Sequence, residues 1–588
     1  MQYRKTKRTE SSDTLRSYED FQIRKTIYIS LLCVIVGAVA GLGATLFSYL
    51  IDLFHNLFFS GTLSISHERG GIISPWGPFI IIVPAIGMAL SRFITAKWAP
   101  EAKGHGVPEV MVAVTQRQGK IRPVVALVKS LASAITIGSG GSAGKEGPIV
   151  QIGASFGSSI GQAFKLSSRD TIILVGAGVA GGISATFNAP IGGIMFALEL
   201  ILPEYSIMTI MPLVVSAIIA TTVSSTFMGA KPSFIIPEYA MESPIELIFY
   251  IALGLLAGFL SVLFIKAVYG LEDFFDGWKI NPTFKAILGG LIVGAIGYSC
   301  LLIFGNYHVF GVGYDFLDLI LDNQITVLLV PLSLIFLKIL ANAITLGAGG
   351  SGGIFAPSLF LGGALGASVG ILVNTLFPGT TGPIAAYAIV GMAALVSGVT
   401  GGVLTAIIMV FEMTRDYAIM LPLLLSGVIS FFTAQLLYPE TMYTEKLTRR
   451  GIPIKFDKRI PTLKTVLVRE IMKSDVISCH PTDSVDAVLR IMLEKNLGLL
   501  PVVDGKSVLG TVSYKDLYQL KDQNVQTISS VTKIVDISIP GSATMFDALE
   551  VMETTKTNIL LVTSDSGIIG FVTTNRIIQS YLQKRRLS

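Results

Sequence analysis

The chain contains a long stretch without a single charged side chain, which runs from Ile339 to Phe411. A second stretch, from Thr171 to Ala230, carries only Glu199 and Glu204 as charged residues. Across the 588 residues, 14% are charged and 51% are hydrophobic, whereas a soluble domain has about 25% charged residues. Stretches of this composition are stable in lipid, so the sequence predicts a helical, polytopic membrane protein and excludes soluble and disordered classes.

Net charge and cysteine content exclude two further classes. Lys and Arg number 44 against 39 Asp and Glu, and a net charge of +5 is too small to indicate nucleic-acid binding. Cys33, Cys300 and Cys479 are too few and too scattered for a disulfide framework or a metal cluster. The 60 glycines and 25 prolines lie in apolar runs without a collagen period, which indicates close-packed or interrupted membrane helices.

Charge placement divides the chain into domains. Basic residues crowd the first 25 positions and return after Tyr443, on either side of the apolar region. We predict an N-terminal tail at 1–25, a transmembrane domain at 26–450, a linker at 451–467 and a C-terminal domain at 468–588. The positive-inside rule then predicts a multi-pass protein of the cell membrane with both termini in the cytoplasm.

The transmembrane region contains ten apolar segments. A full span requires about 20 residues, and several of these segments are shorter. Gly or Pro interrupts others, so we expect some helices to stop inside the membrane and to line a polar cavity. The segments lie near 27–59, 76–95, 123–137, 171–187, 208–228, 245–269, 284–304, 326–346, 383–399 and 417–437.

An internal repeat is the strongest structural signal. Gly138–Gly161 and Gly347–Gly370 align without gaps at an offset of 209, with ten identical positions. Each block is followed by an apolar run that ends in a lone carboxylate, Glu199 in the first half and Glu412 in the second. Homologous halves, placed here at about 26–230 and 245–445, are typical of transporters whose site lies where the halves meet. The sequence leaves open whether the repeats are inverted.

In both blocks a Gly-rich stretch runs into a proline, so Gly147-Pro148 and Ala356-Pro357 are predicted to be the first turns of helices. A helix start has unpaired N–H groups and a partial positive charge, which together make an anion site that needs no buried cation. Partial charges also allow the ion to leave again, as a pore requires. The alternative is that the glycines only permit tight helix crossings.

Glu146 is a carboxylate beside one of these helix starts, and ionisable residues inside a membrane are functional by default. Its negative charge would compete with a permeating anion for the same N–H donors. Protonation would release it, which would couple conduction to pH. A salt bridge to Lys145, or an ordinary acidic residue in a first helical turn, is the alternative.

Four motifs of the chain resemble those of the CLC chloride channels and proton/chloride antiporters. The resemblance rests on GHGVPE at Gly104–Glu109, GKEGP at Gly144–Pro148, GGIFAP at Gly352–Pro357 and the late Tyr443, and it covers about residues 26–450. It implies a homodimer in which each subunit has its own pore, built from two inverted halves with many tilted helices.

By the resemblance, Glu146 is the gating glutamate, the N–H groups of Ile354 and Phe355 are central anion donors, and the Tyr443 hydroxyl is the inner pore ligand. His105 replaces the signature serine; a neutral imidazole would donate N–H to the anion, and a protonated one would hold it more tightly and add pH dependence. Alternatively the ring turns away and only the backbone matters. The candidate anion-binding residues are His105, Gly106, Lys145, Gly147, Ile354, Phe355 and Tyr443.

A second departure concerns proton coupling. Phe187–Leu200 resembles the segment in which antiporters carry two successive glutamates; Glu199 matches the first, and Leu200 stands where the inner proton-transfer glutamate is expected. This favours passive chloride conduction gated by Glu146, with a proton-coupled antiporter as the alternative. Glu199 and Glu412 are interpreted as structural carboxylates that cap or link helices, with a proton relay through Glu199 as the alternative.

The tail contains a second, weaker duplication, in which each copy is predicted to form a helix, two short strands and the start of a further helix. It resembles a tandem pair of CBS domains, which implies a small α/β module that often binds adenine nucleotides such as ATP, ADP or AMP. Ser513 and Asp516 fit the phosphate and ribose contacts in the first copy. The second copy has Thr573, but Arg576 replaces the aspartate, so we expect one nucleotide site or a purely structural module.

Competing functions are disfavoured by the residues they require. A zinc protease needs an H-E-x-x-H helix, and His67-Glu68 is followed by Arg69-Gly70-Gly71. A divalent-cation transporter needs several pore carboxylates. The fluoride-exporting branch of the family usually has methionine at the position of His105, so this histidine gives it no support. We therefore predict a protein that is not an enzyme, transports chloride, needs no metal or other cofactor, and binds no nucleic acid.

Overall fold

The chain forms two compact units, Met1–Phe456 and Asp457–Ser588. The computed structural model describes residues 2–66, 73–203, 206–229, 234, 243–378, 381–452, 463, 466–474, 477–495, 498–504, 507–520, 526–530, 538–555, 557–564 and 567–587. Most of the predicted linker at 451–467 therefore lies outside the described residues, as does the His67–Gly71 segment.

Helices make up the first unit, and their order in the N-terminal half follows the apolar segments of the sequence. The first half contains α1 Gln2–Ser60, α2 Val83–Trp98, α3 Val107–Gln116, α4 Val124–Gly138, α5 Glu146–Ala163, α6 Ser168–Phe187, α7 Pro190–Phe196 and α8 Ile207–Met228. A 3-10 helix at Gly77–Ile82 precedes α2, and a π-helical turn at Ala197–Ile201 extends α7.

The second half repeats this order. It contains α9 Glu246–Gly277, α10 Pro282–Phe304, α11 Tyr314–Leu321, α12 Leu329–Gly347, α13 Phe355–Leu376, α14 Ile384–Thr400, α15 Val403–Thr414 and α16 Met420–Leu437, and α17 Met442–Arg449 follows. Each of the ten predicted apolar segments contains a helix, and α5 and α13 begin at Glu146 and Phe355, so both predicted helix starts are confirmed.

Several helices are too short to cross a bilayer. Within the described residues, nine helical segments are long and apolar enough to span a membrane. By contrast, α4 has 15 residues, which cover about 22 Å against a hydrocarbon thickness of about 30 Å. The first unit is therefore a multi-pass membrane domain that contains interrupted helices, as the Gly and Pro pattern predicts.

The two halves are related by a local two-fold axis. Equivalent helices make equivalent contacts: α5 packs on α6 as α13 packs on α14, and α1 packs on α8 as α9 packs on α16. Gly144 and Gly353, which are 209 residues apart, exchange two backbone hydrogen bonds of 2.8 and 2.6 Å in an antiparallel bridge. An antiparallel bridge between equivalent residues places a local two-fold axis between them, and an inverted repeat has such an axis in the membrane plane.

A reciprocal pair of carboxylates joins the halves. Both oxygens of Glu199, at the end of the first half's short helix, accept N–H groups of Leu404 and Thr405 at 3.2 and 2.7 Å. Glu412, at the end of α15, in turn accepts the N–H groups of Ile191 and Gly192 at 3.1 and 2.6 Å. Each carboxylate thus caps the start of the other half's helix, where negative charge is stabilising.

The second unit contains two similar copies, each with its own core. Its elements are α18 Val468–Ile471, α19 Val485–Glu494, β1 Leu499–Asp504, β2 Ser507–Ser513, α20 Tyr514–Leu520, β3 Ser538–Pro540, α21 Met545–Thr555, β4 Ile559–Ser564, β5 Gly567–Thr573 and α22 Thr574–Leu587. The predicted order of helix, two antiparallel strands and helix is confirmed in both copies.

The two copies of the tail exchange their leading segments. Lys473 pairs with Phe571, and Val468 donates its N–H to the Ala543 carbonyl at 2.8 Å, so the start of the unit belongs to the second copy's core. Conversely, Ile528 packs in the core of the first copy. Each copy therefore contributes its leading segment to the core of the other copy.

Candidate functional site

The starts of α3, α5 and α13 meet in the buried interior of the membrane domain. The Gly352 N–H donates to the Gly104 carbonyl at 3.4 Å, which joins the loop before α13 to the loop before α3. A Cβ on Gly147 would lie 2.1 Å from the His105 carbonyl oxygen, so only glycine permits this approach of α5. Gly106 has a φ of +81°, which lets the chain turn directly into α3. Three converging helix starts create positive potential from partial charges.

Glu146 reaches from α5 to the start of α13. Its side chain is 1% exposed. One carboxylate oxygen, Oε2, accepts the Ala356 N–H at 3.2 Å, and the other, Oε1, accepts the Tyr314 hydroxyl at 3.0 Å. The ion pairs of the described residues do not include one between Glu146 and Lys145, whose ammonium lies 5.8 Å from the centre of the Tyr314 ring. The carboxylate therefore occupies the kind of place that an anion would take at a helix N-terminus.

The remaining predicted donors lie around the same point. Ile354 is the residue before α13 and Phe355 is its first residue, and both are 1% exposed. The Phe355 ring is 5.7 Å from Phe187 and 6.4 Å from Phe196, so aromatic side chains of the first half surround this helix start. Gly106 and Gly147 are buried, and Lys145 is half-buried.

Tyr314 is a site residue that the sequence analysis missed. It is the first residue of α11, and its ring packs edge-on against Phe234 at 5.5 Å. A repeat signal was available, because the G-H-G of Gly104–Gly106 and the G-V-G of Gly311–Gly313 both directly precede a helix. The loop lies outside the apolar segments, so this second, shorter repeat was not recognised.

We expect Tyr314→Phe to weaken the hold on the Glu146 carboxylate. A hydrogen bond to a charged group contributes about 1.5–3 kcal/mol, so anion flux at neutral pH should rise about tenfold or more. The difference from wild type should vanish at acid pH, where Glu146 is protonated and no longer competes with the anion. Flux from proteoliposomes measures this, with Tyr417→Phe at a 77% exposed position as the matched control. Unchanged flux at neutral pH would refute the role of Tyr314.

One ring nitrogen of His105 is held by a hydrogen bond, and the donation of its N–H to an anion stays a prediction. Its Nε2 lies 3.3 Å from the Tyr269 hydroxyl, which in turn lies 2.5 Å from the Met442 carbonyl oxygen. The His105 ring is 6.0 Å from the Tyr443 ring. Among the described residues, Nδ1 of His105 has no hydrogen-bond partner. The ring therefore lies beside the other predicted ligand, but its contacts hold it by one nitrogen only.

Two fully buried lysines hold the loops of the site. Lys129 donates to the carbonyls of Ala102 and Gly104 at 2.9 and 2.6 Å, and to the Ser351 hydroxyl at 3.0 Å. Lys338, its equivalent at the repeat offset of 209, donates to the Val309 and Gly311 carbonyls at 3.1 and 3.0 Å. The lysines therefore fix the backbone that precedes α3 and α11 in equivalent ways. The sequence analysis missed them, although their spacing equals the repeat offset.

Tyr443 lies on α17, which ion pairs fasten to neighbouring helices. Thr441 caps the helix start, and Tyr443 itself is 2% exposed. The basic residues of this helix and the next position pair with acidic residues of α3, α9 and α17 itself: Lys446 with Glu272, Arg449 with Asp273 and Glu445, and Arg450 with Glu109. The aromatic ligand is thus carried on a short helix whose orientation these pairs set.

Leu200 and Glu199 are neighbours in the sequence but contact different parts of the chain around the start of α15. Leu200 is buried, and a Cβ on Gly402 would lie 3.2 Å from its Cδ1 atom, so the leucine packs against the chain before α15. The carboxylate of Glu199 accepts the three bonds from Leu404 and Thr405, the last including the Thr405 hydroxyl at 2.7 Å. This geometry matches the predicted capping role of Glu199.

In the tail, the predicted nucleotide contacts lie at equivalent helix starts. The Ser513 hydroxyl accepts the Asp516 N–H at 3.1 Å, and the Thr573 hydroxyl accepts the Arg576 N–H at 3.2 Å. Arg576 also donates from Nε to the Ile471 carbonyl at 3.1 Å, so it takes part in the fold of its own copy. Over the part of the chain that the structure describes, no three His, Cys, Asp or Glu side chains are grouped to hold a metal ion.

Comparison with known proteins agrees with this architecture. Residues 87–435 match the family described as "Voltage gated chloride channel", and residues 468–521 and 528–582 each match "CBS domain". A Ralstonia nicotianae protein named "Putative chloride channel protein ClcB-like" is 32% identical over 381 residues, which cover 64% of this chain and 86% of that protein.

An H(+)/Cl(-) exchange transporter, ClcA of Vibrio vulnificus, is 32% identical over 439 residues, which cover 74% of this chain and 91% of that protein. The fold is similar to that of a slow cyanobacterial Cl-/H+ antiporter, with a TM-score of 0.64, 24% identity and coverage of 72% of this chain and 97% of that chain. The chain therefore belongs to the CLC family, and a tandem pair of CBS domains follows its membrane domain.

Proposed function

We propose that this protein exchanges chloride for protons across a membrane. The observation that carries the proposal is the position of Glu146, whose carboxylate is bound by the Ala356 N–H at the start of α13. A negative side chain at that position excludes an anion, and its protonated form admits one. One titratable group then determines both the passage of the anion and the binding of the proton, which is the minimum that coupling requires.

The exchange mechanism replaces passive conduction as the preferred interpretation. Leu200 favours a channel, because a leucine cannot carry a proton. However, several relatives at 30% identity or more are named H(+)/Cl(-) exchange transporters and align over most of this chain. A channel remains the alternative, and it is supported by Leu200 and by the name of the Ralstonia relative.

Reversal potentials in proteoliposomes test the proposal. With chloride fixed and a proton gradient imposed, we expect the potential of zero current to move with the gradient. A channel would give a chloride potential independent of that gradient, so a fixed value would contradict exchange. The same vesicles should show flux with chloride and not with magnesium. Measuring flux with fluoride in place of chloride tests the fluoride-exporting branch of the family, for which His105 gives no support.

The proposal also covers the location of the protein in the cell and its oligomeric state. Basic residues before the first apolar segment and after the last support a cell-membrane location with cytoplasmic termini. The resemblance to the family supports a homodimer with a pore in each subunit. The proposed activity is transport, with chloride as the moving ion and no chemical step that would make the protein an enzyme.

We further propose that the CBS pair binds an adenine nucleotide at Ser513 and Asp516. Both groups lie at the start of α20, and the Ser513 hydroxyl caps that start. Titration of the full-length protein with ATP, ADP and AMP should give binding heat for at least one of them, and Asp516→Asn should weaken it by about tenfold through loss of a charged acceptor. Thr573→Ala in the second copy is the control. Absence of heat with all three nucleotides would leave the pair a structural module.

A further inference from the structure

The hydrogen bonds of His105 determine which of its nitrogens carries the proton when the ring is neutral. A tyrosine hydroxyl has one hydrogen, and Tyr269 donates it to the Met442 carbonyl oxygen at 2.5 Å. The hydroxyl therefore faces Nε2 of His105 with a lone pair, at 3.3 Å, so Nε2 must donate. In the neutral ring Nδ1 is then a bare lone pair, which repels an anion and accepts a proton.

The surroundings of His105 favour the neutral ring until an anion arrives. Burial of the ring is the largest cause, followed by the charges of Lys446 from α17, Lys129 from α4 and Arg450, which follows α17. Two of them are partly balanced, because Lys446 pairs with Glu272 and Arg450 pairs with Glu109. The phenol groups of Tyr269 and Tyr443 face the ring from α9 and α17. A bound anion would offset the cationic charge and stabilise an imidazolium.

Lys129 is not the proton acceptor. Its ammonium donates to three acceptors, the carbonyls of Ala102 and Gly104 and the hydroxyl of Ser351. A neutral amine has only two N–H groups, so deprotonation would remove one of these three hydrogen bonds, although the Ala102 carbonyl would keep the Ser351 hydroxyl as a donor. His105, by contrast, is 2% exposed and has a nitrogen with no partner among the described residues.

We propose that His105 takes up a proton at Nδ1 when an anion enters the pore beside Tyr443, and that the resulting Nδ1–H donates to that anion. The proton comes from hydronium of the buffered solution: an O–H bond breaks as the Nδ1–H bond forms, water is left, and the proton returns to the solution when the anion leaves. The proposal rests on the anion-transport function and adds a second proton-binding residue to Glu146. Protonation of either residue favours the anion, but by different means: on Glu146 it removes a competing carboxylate, whereas on His105 it creates a hydrogen-bond donor. By linkage, protonation must raise anion affinity by the same factor as the anion raises proton affinity.

Calorimetry of chloride binding to the purified, full-length Glu146→Gln protein tests this, because that variant lacks the gate's own proton. We expect heats that depend on the ionisation enthalpy of the buffer, which report proton uptake with each chloride bound. Affinity for chloride should fall about tenfold between about pH 6 and pH 8. Adding His105→Ser should abolish both effects.

Two further variants in the same background make the test specific. Tyr269→Phe frees Nε2, so the neutral ring can carry its N–H on Nδ1, and proton uptake should fall while chloride still binds. His308→Gln removes another buried histidine whose Nδ1 has no partner within the described part of the chain, and proton uptake should stay unchanged. Chloride binding without buffer-dependent heat would overturn the proposal and leave the transport function standing. Absence of chloride binding in every variant would overturn both.

Discussion

In a His105→Ser background, replacing Glu146 by glutamine is expected to abolish proton transport and to make chloride flux independent of pH. Glutamine keeps the shape of the side chain but has no charge and does not titrate. In wild type the carboxylate is charged at high pH and competes with chloride, and it is protonated at low pH and releases the site, so wild-type flux should rise as pH falls.

The size of the effect follows from the hydrogen bonds of the carboxylate. It accepts the Ala356 N–H and the Tyr314 hydroxyl, and charge-assisted bonds of this kind are about twice as strong as neutral ones. Loss of the charge should therefore raise chloride flux at neutral pH by about tenfold or more. Vesicle flux across several pH values measures it, with Glu101→Gln as a control carboxylate that pairs with Arg122 outside the site. Persistence of the pH dependence in the double variant Glu146→Gln, His105→Ser would show that another group is the gate.

Removal of either reciprocal carboxylate is expected to destabilise the membrane domain to a similar extent. Glu199→Ala leaves the N–H groups of Leu404 and Thr405 without their acceptor, and Glu412→Ala does the same to Ile191 and Gly192. Two lost bonds to a charged group correspond to a loss of about 3 kcal/mol or more in the free energy of unfolding. Thermal unfolding in detergent compares the two variants.

The conservative variant Glu199→Gln separates capping from proton relay. Its amide oxygen still accepts an N–H but carries no proton, so we expect the ratio of protons to chloride transported to stay at the wild-type value. The matched variant Glu412→Gln should behave alike. A coupling ratio that falls in Glu199→Gln alone would identify Glu199 as a proton carrier and refute a purely structural role.

Features encoded by neighbouring residues could be predicted from the sequence. The starts of α5 and α13 follow from glycines that precede a proline, and the apolar segments locate the helices because lipid requires such composition. The position of each carboxylate at the end of the apolar run that follows its block indicates that Glu199 and Glu412 are equivalent. It did not reveal that each caps the other half, because the bond from Thr405 to Glu199 joins residues 206 positions apart.

Contacts between distant residues account for what the sequence did not reveal. Tyr314 approaches Glu146 only because the second half folds back on the first. The role of His105 depends on Tyr269, whose hydroxyl donates its hydrogen to the Met442 carbonyl. The sequence pattern does not reveal that hydrogen bond. Lys129 and Lys338 were visible as lysines inside apolar segments. Their carbonyl partners lie in loops whose course depends on the whole domain.

The reciprocal capping by Glu199 and Glu412 constrains how the protein is made. The ribosome synthesises the N-terminal half first. The N–H groups of Ile191 and Gly192 therefore enter the membrane domain before their acceptor, Glu412, which is synthesised about 220 residues later. Until then, the hydrogen bonds from the N–H groups of Leu404 and Thr405 to Glu199 cannot form either. The first half therefore passes through an intermediate in which these hydrogen bonds between the halves have not yet formed, and lipid cannot replace them. Folding is complete only after the second half has been synthesised.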